Sequence, residues 1–517
     1  MISKLKNYKK EIVAFALWFP FLFAININLS DIFYLGGDLI ANINALRIIL
    51  YLFSFLFLIF LFFINFKKIK LSNSIFFIYL LIFIIQSSFF FSENFNQHII
   101  SNFNIFFSGN IHLITMHTSN KDLGLEIQSI YMMIGSIGAL IYFIIFNNKK
   151  YDTTIKIQIF ATSLIIALVY LYFTTSMMAE YFKNEDVFLL YHSKYLINGA
   201  FAGHEMSRST GISRILVMIS IITLLSLFRF QNNYLRIFGF LFIISINSII
   251  ILLSSRFGIY SYIVVLLTLI LFIKISYLKK IIIIICLTIV PYLLQNSIKE
   301  YKFYTQIKEN ILDKSLNEKN IVNNYIDKYI VAPIEIVTKS NSNYEKLRKS
   351  YIEEKNIETG RSLIKRDEKD NSLTINTTGR MDIWKKAYHL VLDDKINIWI
   401  GNGYQTDRKL LAGDKNYLFY GSNISNALLH IFICSGLIGV FIFMYINFKI
   451  AIRIFQFYFV EKIYLNYNAN FLLIIATNII FVLYLRCLVE NSIAYYNIDF
   501  LIFLMCLYIV DKKRKII

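Results

Sequence analysis

The chain has 517 residues, 57% of them hydrophobic and 17% aromatic, with only 16% charged and three prolines; its mean hydropathy is +0.57. Soluble domains carry about 25% charged residues and rarely sustain long uncharged apolar runs, so a soluble enzyme, a disordered chain and a secreted disulfide scaffold are excluded. The formal charge of +19, from 52 Lys and Arg against 33 Asp and Glu, reflects the positive residues that membrane proteins gather on cytoplasmic loops rather than an affinity for nucleic acid.

The N-terminal segment Met1 to Lys10 is basic and leads into an apolar stretch holding Trp18 and Pro20, without a clear small-residue cleavage site; it reads as a retained first span. A helix needs about 20 apolar residues to cross the hydrocarbon core. Runs of that length predict twelve transmembrane helices near 11–29, 43–66, 73–91, 127–146, 155–178, 209–229, 234–254, 257–274, 278–295, 425–448, 469–488 and 492–510. The division at Ser254 to Gly258 is the narrowest. The expected fold class is therefore an all-α polytopic membrane protein. It comprises a membrane domain over 1–295 (spans one to nine), a large periplasmic loop over 296–424 and a second membrane domain over 425–517 (spans ten to twelve).

Loop charges set the orientation. Lys67, Lys68 and Lys70, then Lys149 and Lys150, Arg229 and Arg236, Lys279 and Lys280, and Lys512 to Lys515 fall on alternate connections. Asp31, Asp38, Glu93, Asp122, Glu180 and Glu185 occupy the others. The positive-inside rule then places both termini in the cytoplasm, with the long loop on the outer side. Cys286, Cys434, Cys487 and Cys506 each sit in an apolar segment and form no metal or disulfide pattern.

The 296–424 stretch is nearly balanced in charge. Its first part, Lys299 to Asn376, reads as surface helices and linker. Further on, Ile383, Trp384, Ala387, Tyr388, Val391 and Leu392 recur at helical spacing. They predict an amphipathic helix from Met381 to Asp393, with Thr377 and Thr378 as upstream caps and Gly401 and Gly403 in a downstream turn. Such a helix suits a membrane surface over the mouth of a bundle.

The residues that could carry chemistry are arginines on the outer side. Arg208 and Arg214 flank Gly211; Arg256 lies in Ser-Ser-Arg-Phe-Gly; Arg380 opens the amphipathic helix; Arg486 ends span eleven, with Glu490 one turn later. Each alone is equally well read as a snorkelling or paired side chain. Four chain segments converging on one face suggest a pyrophosphate or anionic glycan ligand, because guanidinium groups bind phosphate with bidentate geometry. His98, His112 and His117 read as loop histidines, Asp393 and Asp394 as a helix end, and no phosphate-binding glycine loop is present, so neither metal nor cofactor is expected.

Gly379-Arg380-Met381-Asp382-Ile383-Trp384, Gly401-Asn402-Gly403-Tyr404, Ser425-Asn426 and Ser435-Gly436-Leu437-Ile438-Gly439 resemble, in this order, the signature region of the O-antigen ligase and O-antigen polymerase superfamily. Arg208-Ser-Thr-Gly211 and Ser255-Arg256 resemble two earlier arginine motifs of that family, so the likeness covers roughly residues 205–445. The resemblance implies a C-type, all-helical membrane glycosyltransferase acting at the periplasmic face. Its donor would be an undecaprenyl-pyrophosphate-linked glycan and its acceptor another lipid-linked repeat unit, in a polymerase, or lipid A core, in a ligase. Membrane lipids and a chain-length regulator are the further partners implied; nucleic acid is not. Arg208, Arg256 and Arg380 would stabilise the departing pyrophosphate, which needs no metal, with Arg214 and Arg486 binding behind them.

One departure matters. Where ligases place a His before Asn as general base, this chain has Ser425, whose hydroxyl cannot act as a base unaided. His430 is five residues on, about 140° round a helix, and is read as facing elsewhere. His204, Glu205 and Glu490 are the other base candidates. Loss of that His tilts the reading toward a polymerase, with a ligase as the alternative and a transporter or flippase of an anionic lipid-linked glycan behind it. Trp384, Tyr388 and Tyr404 either stack on sugar rings or pack on the bundle; Asn426 either orients the acceptor or caps span ten.

Overall fold

The computed structural model describes residues 2–24, 37–66, 75–87, 121–147, 151–183, 209–253, 256–272, 276–315, 380–393, 396–407, 410, 424, 426–488 and 490–514. Every described element is helical. In chain order they are α1 (Ile2–Ala24), α2 (Gly37–Asn65), α3 (Ile75–Gln86), α4 (Lys121–Phe146), α5 (Asp152–Lys183), α6 (Ser209–Leu227), α7 (Asn233–Leu252), α8 (Arg256–Phe272), α9 (Tyr277–Ser315), α10 (Arg380–Leu392), α11 (Ala427–Phe455), α12 (Tyr467–Cys487) and α13 (Ile498–Arg514). A π-turn (Gln456–Val460) and a 3-10 turn (Ile463–Asn466) join α11 to α12.

Seven stretches among the described residues are long and apolar enough to cross a membrane: Ile48–Asn65, Ser129–Phe146, Asp152–Thr175, Asn233–Leu252, Tyr277–Gln295, Ala427–Val460 and Ile463–Cys487. Glu11–Leu22, Ile75–Gln86, Gly211–Leu227 and Gly258–Leu267 are shorter apolar helices. The chain is thus a helical, multi-pass membrane protein. The narrow division holds as two helices, α7 closing at Leu253 and α8 opening at Arg256.

Burial separates centre from periphery. In α4, 78% of the Ser129–Phe146 window is buried, against 11% for Tyr277–Gln295 of α9. A helix apolar all round belongs inside a bundle, and α13 meets that description: Phe500, Leu501, Phe503, Leu504, Leu507 and Tyr508 are all closed off. Around it, α3 packs on α4 and α11, α12 on α13, and α6 on α5, α7, α8 and α12. Polar pairs tie the helices where lipid offers no partner. Trp18 Nε1 donates to Thr162 Oγ1 at 2.9 Å. Ser220 bonds Asn247, whose Nδ2 reaches the Leu287 carbonyl at 3.0 Å, joining α6, α7 and α9.

Two elements of the long loop differ from expectation. The ninth apolar span closes at Gln295 as expected, but its helix does not: α9 runs on to Ser315, a helix of 39 residues, about 58 Å. Farther along, residues 396–407 pack among the membrane helices, with Tyr404 buried near Phe83 and Gln405 against Met132.

Candidate functional site

α10 occupies Arg380–Leu392, one residue from the predicted bounds. Its stripe divides. Ala387 and Trp384 turn inward with Val391 onto Ile396, Ile424 and Ile433, and Trp384 Nε1 donates to the Ile424 carbonyl at 2.8 Å. Tyr388 and Leu392 stay exposed. Trp384 therefore anchors α10 beside the start of α11.

The turn after α10 docks into a break in α11. Gly436 has φ +61° and ψ −165° inside the helix. In an unbroken helix the Leu437 and Ile438 amides would bond the carbonyls four residues back, at Ile433 and Cys434. Here the turn intercepts all four groups. Leu437 N donates to the Ile398 carbonyl at 2.8 Å and Ile438 N to Trp399 at 3.2 Å. Asn402 N donates to Ile433 at 2.9 Å and Gly403 N to Cys434 at 3.1 Å. Gly401 (φ +69°) and Gly436 face this junction, and a Cβ on either would overlap the other segment's backbone. The Gly-x-Gly-Tyr and Ser-Gly motifs, distant in sequence, are two halves of one joint. Tyr404 locks it: its hydroxyl accepts from Tyr496 N at 3.0 Å and lies 3.3 Å from Ser136 Oγ, with the ring 1% exposed. Gln86 Nε2 donates to Ser435 Oγ at 2.7 Å from α3.

Below this joint the turn delivers Asp407 to α11. Asp407 Oδ2 lies 3.1 Å from His430 Nδ1, and both side chains are buried. Oδ2 also accepts from Ile424 N at 3.3 Å. Asn491, in the connector between α12 and α13, accepts from Asn426 N through Oδ1 at 2.9 Å, which turns its Nδ2 to within 3.3 Å of His430 Nδ1. Asn426 caps α11 by accepting from Leu429 N at 3.1 Å, and its Nδ2 reaches the Leu488 carbonyl at 3.2 Å. A carboxylate against Nδ1 draws the ring proton there and leaves Nε2 as the basic nitrogen.

Asp407, His430 and Cys434 also lie within 4.8 Å of one another by their ligand atoms. Cys434 Sγ, however, is 3.9 Å from Nδ1 and 3.8 Å from Nε2. A sulfur equidistant from both nitrogens is in line with neither lone pair, so the three donors do not converge on a point about 2 Å from the nitrogen and 2.3 Å from the sulfur. The geometry fits an oriented imidazole better than a preformed cation site.

A second cluster stands on the same connector. Arg214 Nη1 of α6 donates to Asp499 Oδ2 of α13 at 2.8 Å, and Arg486 Nε of α12 lies 3.2 Å from the same oxygen. All three side chains are buried. Glu490 is hydrogen-bonded through its amide to the Arg486 carbonyl and adds a negative field to that arginine. Tyr495, between the clusters, sets its ring 5.7 Å from His430.

The structure thus brings together Arg214, Arg486, Glu490, Asn426, Trp384 and Tyr404 at one end of the bundle. The backbone starts of α8 and α10, which carry Arg256 and Arg380, belong to that end. Gly258 packs so closely on α6 that an added Cβ would lie 3.0 Å from Ser213 Cβ, and α10 is bonded to Ile424. His204, Glu205, Arg208 and Ser425 lie outside the described residues, as do the loop histidines. Trp384 and Tyr404 hold the site together, and Asn426 is a cap and a strut. Asp407, Asn491 and Asp499 escaped the sequence reading. The one available signal was for Asp499, an acidic residue next to an apolar run, which flags a buried group without naming its partner. Comparison of the chain with protein-family models, with curated proteins and with solved structures finds no match in any of the three.

Proposed function

We propose that the chain is a membrane glycosyltransferase that polymerises undecaprenyl-pyrophosphate-linked oligosaccharide repeat units at the periplasmic face of a bacterial inner membrane, in O-antigen or related surface-polysaccharide synthesis. The observation that carries this reading is electrostatic. Arg214 lies near a helix N-terminus and Arg256 and Arg380 open helices, while Arg486 ends α12 and shares Asp499 with Arg214. Helix N-termini already carry partial positive charge and disfavour cations. A cation at such a start is costly unless an anion balances it; Asp499 does so for Arg214, and a pyrophosphate is an anion of the right charge and geometry to do so for Arg256 and Arg380.

In the transfer, the acceptor oxygen attacks the donor's anomeric carbon and the bond from that carbon to the pyrophosphate oxygen breaks. The undecaprenyl pyrophosphate leaves with the electron pair, stabilised by the guanidinium groups. His430, oriented by Asp407, takes the hydroxyl proton and so fills the place that Ser425 cannot. The ring is 1% exposed, so an acceptor reaches it only when the neighbouring turn or connector moves.

The test uses a strain lacking the gene, complemented with wild type, Arg256→Ala or His430→Gln, with surface glycans separated on a gel. A polymerase leaves single repeat units on lipid A core and no ladder. A ligase leaves bare core and polymer on the lipid carrier. Both variants should reproduce the null pattern while remaining in the membrane at wild-type level. A normal ladder in the deletion strain would overturn the reading.

A further inference from the structure

The turn that enters α11 is placed where loops of membrane proteins are seldom found, and its depth can be measured along the helix. From Ile438 to Phe455, α11 exposes an unbroken apolar strip through Phe441, Met444, Phe448 and Ile452. At 1.5 Å per residue this strip is about 26 Å long. A hydrocarbon core is about 30 Å thick, so the strip covers it only if the core boundary at this end lies at or above Ile438. Setting the opposite boundary at Lys449 or Arg453 instead of Phe455 raises this end further toward Asn426.

The turn is bonded to α11 over Ile433 to Ile438, which is that same level. It exposes Trp399 (66%), Ile398 (42%) and Ile400 (41%) beside the lipid-facing strip. Irregular backbone is tolerated at such depth only when its polar groups are satisfied within the protein. Here they are. Asn397 Oδ1 accepts from Trp399 N and Ile400 N at 3.1 and 3.2 Å, Asn402 Oδ1 accepts from Asn397 N at 2.8 Å, and Gly401 N bonds the Asn397 carbonyl at 2.8 Å. The freed groups of the broken helix take the Ile398 and Trp399 carbonyls and the Asn402 and Gly403 amides.

We propose that residues 397–403 form a re-entrant turn of the outer membrane face, and that Ile398, Trp399 and Ile400 contact the glycerol end of the surrounding phospholipid acyl chains. The occupant is lipid because the exposed face continues the lipid-facing strip of α11. Trp399 has the side chain that favours this boundary, with an apolar body and a polar N–H. The inference rests on α11 spanning the membrane and is independent of the glycosyltransferase reading.

The full chain is reconstituted in phosphatidylcholine vesicles and its tryptophan emission compared with that of Trp399→Phe, the difference spectrum isolating Trp399 from Trp18 and Trp384. Expected is a blue-shifted difference emission that is lost with phospholipid brominated near the glycerol and spared by iodide present on both sides. Quenching by iodide without quenching by brominated lipid would overturn the proposal by putting the turn in water. Resistance to both would overturn it by putting a second copy or another protein over the turn. If Trp399→Phe does not assemble, Ile398→Cys replaces it. Labelling of Ile398→Cys above the wild-type cysteine background by a membrane-soluble maleimide but not by a charged one supports the proposal; equal labelling by both overturns it.

Discussion

Two arginines share one carboxylate oxygen at Asp499, closed off from solvent on three helices. The geometry ties α6 and α12 to the first turn of α13, and removing one partner strands charges that cannot regain water. Asp499→Asn keeps the shape and removes the charge, so it should cost about 3–5 kcal/mol and lower the thermal midpoint in detergent. Arg453→Gln is the comparison. It breaks the 3.2 Å pair with Asp511 at the other end of the bundle, where both partners are less enclosed and Asn147 also reaches Asp511 at 3.3 Å. A smaller loss is expected there. Equal midpoints for Asp499→Asn and wild type would show that the three charges do not meet in the folded protein. The arginines themselves were visible in the sequence because the outer side is the wrong place for them. Their shared partner was not, since one acid in an apolar run carries no address.

At the scale of elements, α11 and the 397–403 turn are one folding unit. Two helix hydrogen bonds are exchanged for four between segments more than 30 residues apart, so neither segment is complete alone. Gly436→Ala imposes a conformation nearly reserved for glycine, costing about 1–3 kcal/mol before any clash, and its Cβ would overlap the Trp399 carbonyl. Gly401→Ala meets the Cys434–Ser435 peptide in the same way. Each should sharply reduce the yield of folded protein, and the double variant should be little worse than either single one, because both break the same joint. Gly239→Ala is the control: its Cβ would meet only the end of the flexible Leu227 side chain, and near wild-type yield is expected. The sequence marks Gly401 and Gly403 as turn formers. That Gly436 lies at a break inside a helix and packs against the turn holding the other two is a property of the packed molecule.

Over the whole molecule, positive loops alternate with acidic ones, which predicts that both termini and the 67–70, 229–236 and 449–462 connections share one side, opposite Asp407 and His430. Single cysteines at positions 3, 232 and 461, placed in a cysteine-free background, should be labelled by an impermeant reagent only after the membrane is opened. Labelling of any of them in intact cells would break the alternation for that segment. Burial then orders the helices, with α13 and α4 central and α9 at the lipid boundary, an order that hydropathy cannot give because a lipid-facing and a protein-facing apolar helix look alike.

Each of the twelve apolar segments overlaps a helix, seven of them with a stretch long enough to cross a membrane among the described residues, and α10 lies within a residue of its expected place, because hydrophobic length and 3.6-residue periodicity are local quantities written directly into the chain. What only the tertiary structure decided depends on contacts across hundreds of residues. Tyr404 belongs to the framework rather than to an open surface, and Arg214 and Arg486 meet over Asp499. His430 also illustrates the limit: the direction it faces acquires meaning only when Asp407 arrives on a turn inserted into the same helix. Periodicity reports which way a side chain points; packing alone determines what it meets.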